Sequence, residues 1–377
     1  MTTSKIPNSK IHTSKIHNRS LKIALVTDAW LPQVNGVVRS LQTTVKHLEA
    51  RGHEVTPIIP LDFKTIPCPT YPEIRLAIFC KSRVWALLDN IQPDCIHIAT
   101  EGPLGFAARA YCLKRGLPFT TAFHTRFPEY VAARSPIPES WGYKFMRWFH
   151  APSQAVMVPS QSMIECLTEN GFTNAALWSR GVDLTKFNTG NTTEPATYKG
   201  LKRPIALCTG RVAVEKNLEA FLSMPFEGSK VIVGDGPARA ELESKYPDVT
   251  FTGKLSDEDM VAHLKNADIF VFPSKSETFG NVVTEALACG LPVAAYDVTG
   301  PKDILGRAKD VSKVGALAAN GSSNALAEAT KQALKTADHA ACRAHAETFS
   351  WESVTDQFES HLAPITEQDL ADMKQAS

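Results

Sequence analysis

Two rhythms of apolar and polar positions alternate along the chain. Short β-branched runs bounded by Gly, Pro or Asp read as buried strands: LKIALVTDA (Leu21–Ala29), HEVTPIIP, DCIHIA, LPFTTAF and AVMVPS. Between them, apolar residues recur at helical spacing: GVVRSLQTTVKHLEARG, which ends at Gly52, a segment near Ser82–Ile91, and Pro103–Arg115. Strands separated by helices form parallel βαβ units, so the first part of the chain predicts a doubly wound sheet.

The rhythm stops in residues 183–203, rich in Thr, Asn, Gly and Pro, and restarts with PIALCTG. Strands SKVIVG, DVTFTG, DIFVFP and LPVAAY then alternate with helices that begin near Glu215, Pro237, Ser256 and Asn281. The expected fold is α/β. Two doubly wound, Rossmann-like domains (21–182 and 204–349) are joined by a linker (183–203) and face each other across a cleft. Ligands belong at the carboxyl ends of the strands of such sheets. Residues 1–20 carry the crude repeat SKIPN-SKIHT-SKIHN and predict a disordered basic tail.

Composition narrows the class. A chain of 377 residues with 44% hydrophobic and 21% charged residues reads as a soluble two-domain protein. No apolar run is long enough for a membrane span, and no signal peptide is visible. The eight cysteines are scattered without a C-x-x-C, which predicts reduced thiols in a cytoplasmic protein and no zinc site. The net charge of +1 hides an asymmetry: residues 1–180 hold 20 Lys+Arg against 12 Asp+Glu, the remainder 20 against 27. A basic amino-terminal half predicts an anionic surface or ligand there; nothing points to nucleic acid.

The chemistry concentrates after the later strands. In TGRVAVEKN, Arg211 and Lys216 stand where two cations suit a diphosphate. In VGDGPARAEL, the glycines at 234 and 236 allow close backbone approach, but Arg239 replaces the third glycine of a dinucleotide fingerprint. In SETFGNVVTEALACGLPV, Glu277 precedes a helix opened by Gly280-Asn281 and Glu285 lies inside it. Helix-start amides suit an anion, while carboxylates suit the hydroxyl groups beside it. Asp257 and Asp259 spell D-x-D, but with Glu258 they read as an acidic helix start, so no metal site is expected.

Together these loops resemble the retaining glycosyltransferases of family four (group 1), of GT-B architecture. Glu277 and Glu285 match the family's E-x7-E, and Gly210, Arg211, Lys216 and Asn217 its G-R-x4-K-N. Gly234–Pro237 match the G-D-G-P turn. The resemblance implies that Arg211 and Lys216 hold a nucleotide sugar's diphosphate, that Glu277 binds sugar hydroxyls and that Glu285 binds the ribose. It also implies that the backbone of Phe279, Gly280, Asn281 and Val282 meets sugar and phosphate, and that Gly234 lets the chain pass close to the nucleotide. The loop containing Gly253, Lys254 and Leu255 contacts the base. Asn35-Gly36 match the family's glycine loop, and His124 stands beside the transferred sugar. The implied catalytic set is His124, Arg211, Lys216 and Glu277. The resemblance further implies front-face attack with the departing phosphate as base, and the expected reaction is metal-independent and cofactor-free. The last helix, 350–377, is expected to pack back on the first domain, and domain closure to assemble the site.

WGYKFMRWFH repeats Trp141, Phe145, Trp148 and Phe149 at i, i+4, i+7 and i+8, flanked by Lys144 and Arg147. Such a stripe suits a membrane interface or a helix packed into the core. With HTRFPEYVAAR it resembles enzymes that glycosylate diacylglycerol and, more loosely, mannosyltransferases acting on phosphatidylinositol. In that resemblance Glu129 and Tyr130 face the acceptor. The expectation is transfer of a glucose- or glucuronate-type hexose to a lipid hydroxyl such as that of diacylglycerol, on the inner face of the cytoplasmic membrane. Rivals are a GDP-mannose-dependent mannosyltransferase acting on phosphatidylinositol or a polysaccharide, a nucleotide-sugar epimerase, and a nucleotide-sugar-binding sensor.

Overall fold

The computed structural model describes residues 19–375 apart from 34, 69–73 and 133–134; most of the expected basic tail lies outside them. The described residues hold fourteen strands: β1 (Lys22–Val26), β2 (Glu54–Ile58), β3 (Thr65–Pro67), β4 (Arg75–Ala77), β5 (Cys95–Ile98), β6 (Thr120–Ala122), β7 (Val156–Val158), β8 (Ala175–Leu177), β9 (Ile205–Thr209), β10 (Ser229–Val233), β11 (Thr250–Gly253), β12 (Ile269–Phe272), β13 (Val293–Tyr296) and β14 (Gly315–Ala318). They form one sheet in the order β2-β1-β5-β6-β7-β8, another in the order β11-β10-β9-β12-β13-β14, and a β3-β4 hairpin. Both larger sheets are the expected Rossmann-like parallel sheets.

By packing, the chain divides into two compact units. One takes the described residues up to Gln33, Leu41–Thr120 and the segment from Thr355; the other takes residues 35–40 and Thr121–Val354. The division falls inside β6 and not at residues 183–203. Those residues are a packed strap: Phe187 and Tyr198 are buried in the core of the second sheet, and Arg203 pairs with Asp268 and Glu194.

In the first unit β1 lies between β2 and β5, parallel to both. Its carboxyl-terminal helix Trp351–His361 is held by side chains. Arg51 Nη1 reaches Asp356 at 2.7 Å and Glu359 at 2.8 Å, and His53 Nε2 meets Glu359 at 3.0 Å. Asp28, at the end of β1, accepts from the Leu104 and Gly105 amides and from Thr100 Oγ1, which caps helix Pro103–Arg115.

In the second unit β9, β10, β12 and β13 of the later sheet are buried on both faces, because each sends alternate residues to two cores. From β9, Ile205 and Leu207 enter one core and Ala206 and Cys208 the other. From β12, Phe270 and Phe272 face one way and Ile269 and Val271 the other. The strand order reverses between β9 and β12, where the sheet has its crevice. All eight cysteines are free. Burial pushes the thiols of Cys95, Cys112, Cys208, Cys289 and Cys342 up to about 12, which leaves them unreactive. Among the described residues no helix is long and apolar enough to cross a membrane.

Candidate active site

The site is built on the loops that leave β9 and β12 at the crevice. After β9, Gly210 turns the chain at φ +143° and exposes Arg211. A single 3-10 turn, Val214–Lys216, follows. Asn217 then adopts a left-handed conformation, and its Nδ2 donates to the Pro273 carbonyl at 3.0 Å, tying this loop to the end of β12. The helix expected from Glu215 therefore begins only at Leu218. Lys216 Nζ forms an ion pair with the Glu277 carboxylate. The two E-x7-E and G-R-x4-K-N motifs thus meet through their side chains. Arg211, Lys216 and Ser274 line one small cavity. The Ser274 hydroxyl is buried and, among the described residues, has no hydrogen-bond partner.

Backbone approach explains Gly234. Its φ is +145°, and a Cβ there would stand 1.8 Å from the Gly210 carbonyl oxygen. Gly234 N donates to Gly253 O at 2.9 Å. The turn after β10 therefore lies backbone against backbone with the turn after β9 and the end of β11, with no room for a side chain at Gly234. Lys254 is exposed beyond them, and Leu255 packs partly on the core.

After β12 the chain carries Glu277 to Gly280. Thr299 Oγ1 donates to the Glu277 carbonyl at 2.8 Å, and Phe279 is buried against Phe349. Gly280, at φ +91°, is the N-cap of helix Asn281–Ala288. Asn281 Nδ2 lies 3.5 Å from Ser40 Oγ and close to Gly36; Asn35 Oδ1 accepts from the Val38 amide at 3.0 Å. The expected glycine loop thus reaches the start of this helix. Val282 is half-buried on it and packs on the core. Desolvation raises the Glu285 carboxyl above its ordinary value, opposed by Arg39 and Lys186. Those two cations grip Asp257, at 3.3 and 2.5 Å. The D-x-D is an ion-paired helix start: Ser256 Oγ accepts from the Asp259 amide.

His124 follows β6. Thr278 Oγ1 donates to its carbonyl at 2.9 Å, which binds it to the loop of Glu277. Its Nδ1 meets Arg180 Nη2 at 2.9 Å. Two residues on, Arg126 pairs with Glu129 and donates to Thr299 Oγ1 at 3.2 Å. Tyr143 donates to Glu129 at 2.8 Å, so Glu129 is engaged within the protein; the Tyr130 side chain lies outside the described residues.

The aromatic helix, Glu139–His150, shows two faces. Tyr143, Met146, Phe149 and His150 are buried, whereas Trp141, Phe145 and Trp148 are 65%, 48% and 54% exposed. Phe149 therefore does not belong to the outward stripe: its position, i+8 from Trp141, turns it into the core beside Met146. Lys144 and Arg147 are exposed between the aromatics. Arg147 Nη1 donates to Asn170 O at 2.8 Å, and among the described residues neither cation has an ion-pair partner.

Sequence reasoning missed Arg180, Trp178, Thr278, Thr299 and Arg126. A signal for the first two was present in WSRGVD, an aromatic and a cation directly after a short apolar run that ends at the same sheet edge as His124.

The amino-terminal part, residues 34–186, matches the model of Glycosyltransferase Family 4, and residues 203–336 match that of Glycosyl transferases group 1. Among curated proteins, the chain is 31% identical over 309 residues to the GDP-mannose-dependent alpha-mannosyltransferase of Mycolicibacterium smegmatis. That match covers 76% of this chain and 82% of the relative. It is 27% identical to the alpha-monoglucosyldiacylglycerol synthase of Streptococcus pneumoniae, over 73% of this chain and 71% of that one. Among solved structures, sucrose-phosphate synthase from Thermosynechococcus elongatus superposes with a TM-score of 0.69 at 20% identity, over 95% of this chain and all of the other, and shares the fold. With its two Rossmann-like sheets and its joined sugar-nucleotide motifs, the chain belongs to glycosyltransferase family four and has the GT-B fold.

Proposed function

We propose that this glycosyltransferase moves a glucose- or glucuronate-type hexose from a nucleotide diphosphate sugar to a lipid hydroxyl such as that of diacylglycerol, with retention and without a metal. The observation that carries the donor side is the meeting of Lys216 and Glu277 at the crevice between β9 and β12. In this reading Arg211 and Lys216 take the diphosphate and neutralise the leaving group, the role a metal would otherwise fill. The buried Ser274 hydroxyl offers it a further hydrogen bond. Glu277 turns to the sugar hydroxyls, the amides of Phe279–Val282 meet sugar and phosphate, and Glu285 takes the ribose. Gly253, Lys254 and Leu255 border the base, and Asn35-Gly36 close on the donor from the other side. His124 stands at the transferred sugar. The acceptor hydroxyl attacks from the side the phosphate leaves, and that phosphate takes its proton.

The lipid acceptor is supported by the outward aromatic–cationic face of helix Glu139–His150, which has the composition of an interfacial helix. It is further supported by the similarity to an alpha-monoglucosyldiacylglycerol synthase. This face is proposed to rest on the anionic inner surface of the cytoplasmic membrane.

A second reading is a GDP-mannose-dependent mannosyltransferase acting on phosphatidylinositol or a polysaccharide, favoured by the 31% identity to a protein of that donor class. Radiolabel transfer from UDP-glucose, UDP-glucuronate, UDP-galactose and GDP-mannose decides. Each is incubated with diacylglycerol or phosphatidylinositol vesicles, with and without EDTA. Labelled diacylglycerol from a UDP sugar, undiminished by EDTA, is the expected result. Label only from GDP-mannose establishes the second reading, and loss of label in EDTA overturns metal independence.

A further inference from the structure

Arg180 is a buried cation whose position its neighbours do not explain. It is the third residue after β8 and is 5% exposed. Nη1 donates to the Trp178 and Ser179 carbonyls at 2.7 and 2.9 Å, and the guanidinium lies 4.4 Å from the Trp178 ring centroid. Among the described residues no carboxylate pairs with it. Burial pushes its pKa down to about 9, which leaves it protonated at neutral pH. A desolvated guanidinium without a counter-ion costs stability, and an apolar side chain would fill the same space without that cost. Besides its two bonds to carbonyls of its own loop, the guanidinium makes one contact that an apolar side chain cannot, to the side chain of His124 on another strand's end.

Nη2 stands 2.9 Å from His124 Nδ1. A guanidinium has donors and no acceptor, so Nδ1 must present its lone pair. Protonating Nδ1 would set one N–H against another and bring two cations together. The imidazole is further held by the Trp178 ring, edge to face at 5.7 Å, and by the anchored backbone, whose carbonyl accepts from Thr278.

We propose that Arg180 is a positioning residue that keeps the His124 imidazole neutral with its proton on Nε2, so that His124 acts as a fixed hydrogen-bond donor and not as an acid or base. The inference rests on the reading above that His124 stands at the transferred sugar. An Nε2–H donor suits a sugar hydroxyl or ring oxygen. A base is not needed where the departing phosphate takes the acceptor proton.

The test begins with the tautomer. The full-length protein is labelled with 15N-histidine, and the His124 signal is assigned among the eleven histidines by its loss in H124A. At neutral pH the parent should show Nδ1 in the unprotonated range and Nε2 in the protonated one; the opposite tautomer or an imidazolium overturns the proposal without any variant of Arg180. R180M should lose that fixed pattern, with kcat falling about tenfold or more and donor KM changing less than about threefold; R180K, which keeps a cationic donor, should restore the tautomer and most of kcat. A parent-like spectrum and kcat in folded R180M would overturn it. The spectra decide even if no donor sugar supports transfer, so failure of the functional reading is told apart from failure of this one.

Discussion

Lys216 and Glu277 neutralise each other across the crevice between β9 and β12. In the proposed arrangement the residue for the diphosphate is thus held by the residue for the sugar, and a donor so bound exchanges one ion pair for two new contacts. Removing either partner therefore has opposite effects on the bare nucleotide. K216A should weaken UDP or GDP by about tenfold to a hundredfold, since a hydrogen bond to a charged group is worth ~1.5–3 kcal/mol. E277Q should bind the same nucleotide at least as tightly as the parent, because it releases Lys216. Its transfer rate should fall about a hundredfold, as on loss of one transition-state contact. Titration calorimetry with the nucleotide alone reads both; a parallel loss of nucleotide affinity in E277Q would contradict the division of roles.

Gly234 is fixed by backbone, not by flexibility. A Cβ there meets the Gly210 carbonyl at 1.8 Å, and the φ of +145° is strained for any L side chain. The carbonyl cannot yield without moving the loop that carries Arg211. G234A should cost about 2–4 kcal/mol in urea unfolding and abolish nucleotide binding. G52A, at a positive-φ turn with open space around it, should cost only ~1 kcal/mol. Equal stability of the two variants would show that the loops can separate freely.

Much of this architecture is legible in the residues because the signals are local. The alternation in IALCT and IFVF fixes both faces of β9 and β12, and Gly-Asn before an apolar helix marks the start at Asn281. What was hidden depends on contacts distant in sequence. The GALA run of β14 has small residues and a weak strand signal; it is stabilised as a strand by pairing with β13. Residues 183–203 read as a linker by composition, yet Phe187 and Tyr198 anchor them to the second core. Arg180 acquires its role only where the fold brings Trp178 and His124 against it. The motif residues could be named from spacing, but the Lys216–Glu277 pair joins positions 61 apart and appears only on folding.

Asp28 gives the first unit a distinct pH signature. Desolvation is the largest influence on its carboxyl and raises it from 3.8 to about 6, against the hydrogen bonds from Leu104, Thr100 and Gly105. Between these values the folded chain keeps a proton that the unfolded chain releases, so this group's contribution to stability falls as pH rises from about 4 to 6 and is flat above. D28N cannot titrate. Its unfolding free energy relative to the parent should therefore rise across that window in urea titrations. D28A, which also uncaps helix Pro103–Arg115, should lose about 1–2 kcal/mol at neutral pH. A pH-independent difference between D28N and the parent would place the carboxyl at its ordinary value.

The helix Glu139–His150 provides the sharpest separation of surface from core, because residues one position apart do different work. Trp148 is 54% exposed and Phe149 is fully buried. Phe145 and Trp148 lean on each other with ring centroids 6.0 Å apart, and Lys144 and Arg147 flank them without ion-pair partners among the described residues. If this face meets lipid, replacing its aromatics by carboxylates removes apolar insertion and adds repulsion from anionic headgroups. F145E/W148E should lower affinity for phosphatidylglycerol-containing vesicles by more than about tenfold, as the loss of two aromatic anchors and the addition of two negative charges imply. It should leave the melting temperature within about 2 °C, since neither side chain is in the core. F149A should do the reverse. It should lose ~3–5 kcal/mol of stability while the folded fraction keeps its vesicle affinity. Co-sedimentation with vesicles of rising anionic content, beside thermal unfolding, separates the two. Unchanged vesicle binding in F145E/W148E would remove the membrane from the reading and leave a soluble acceptor.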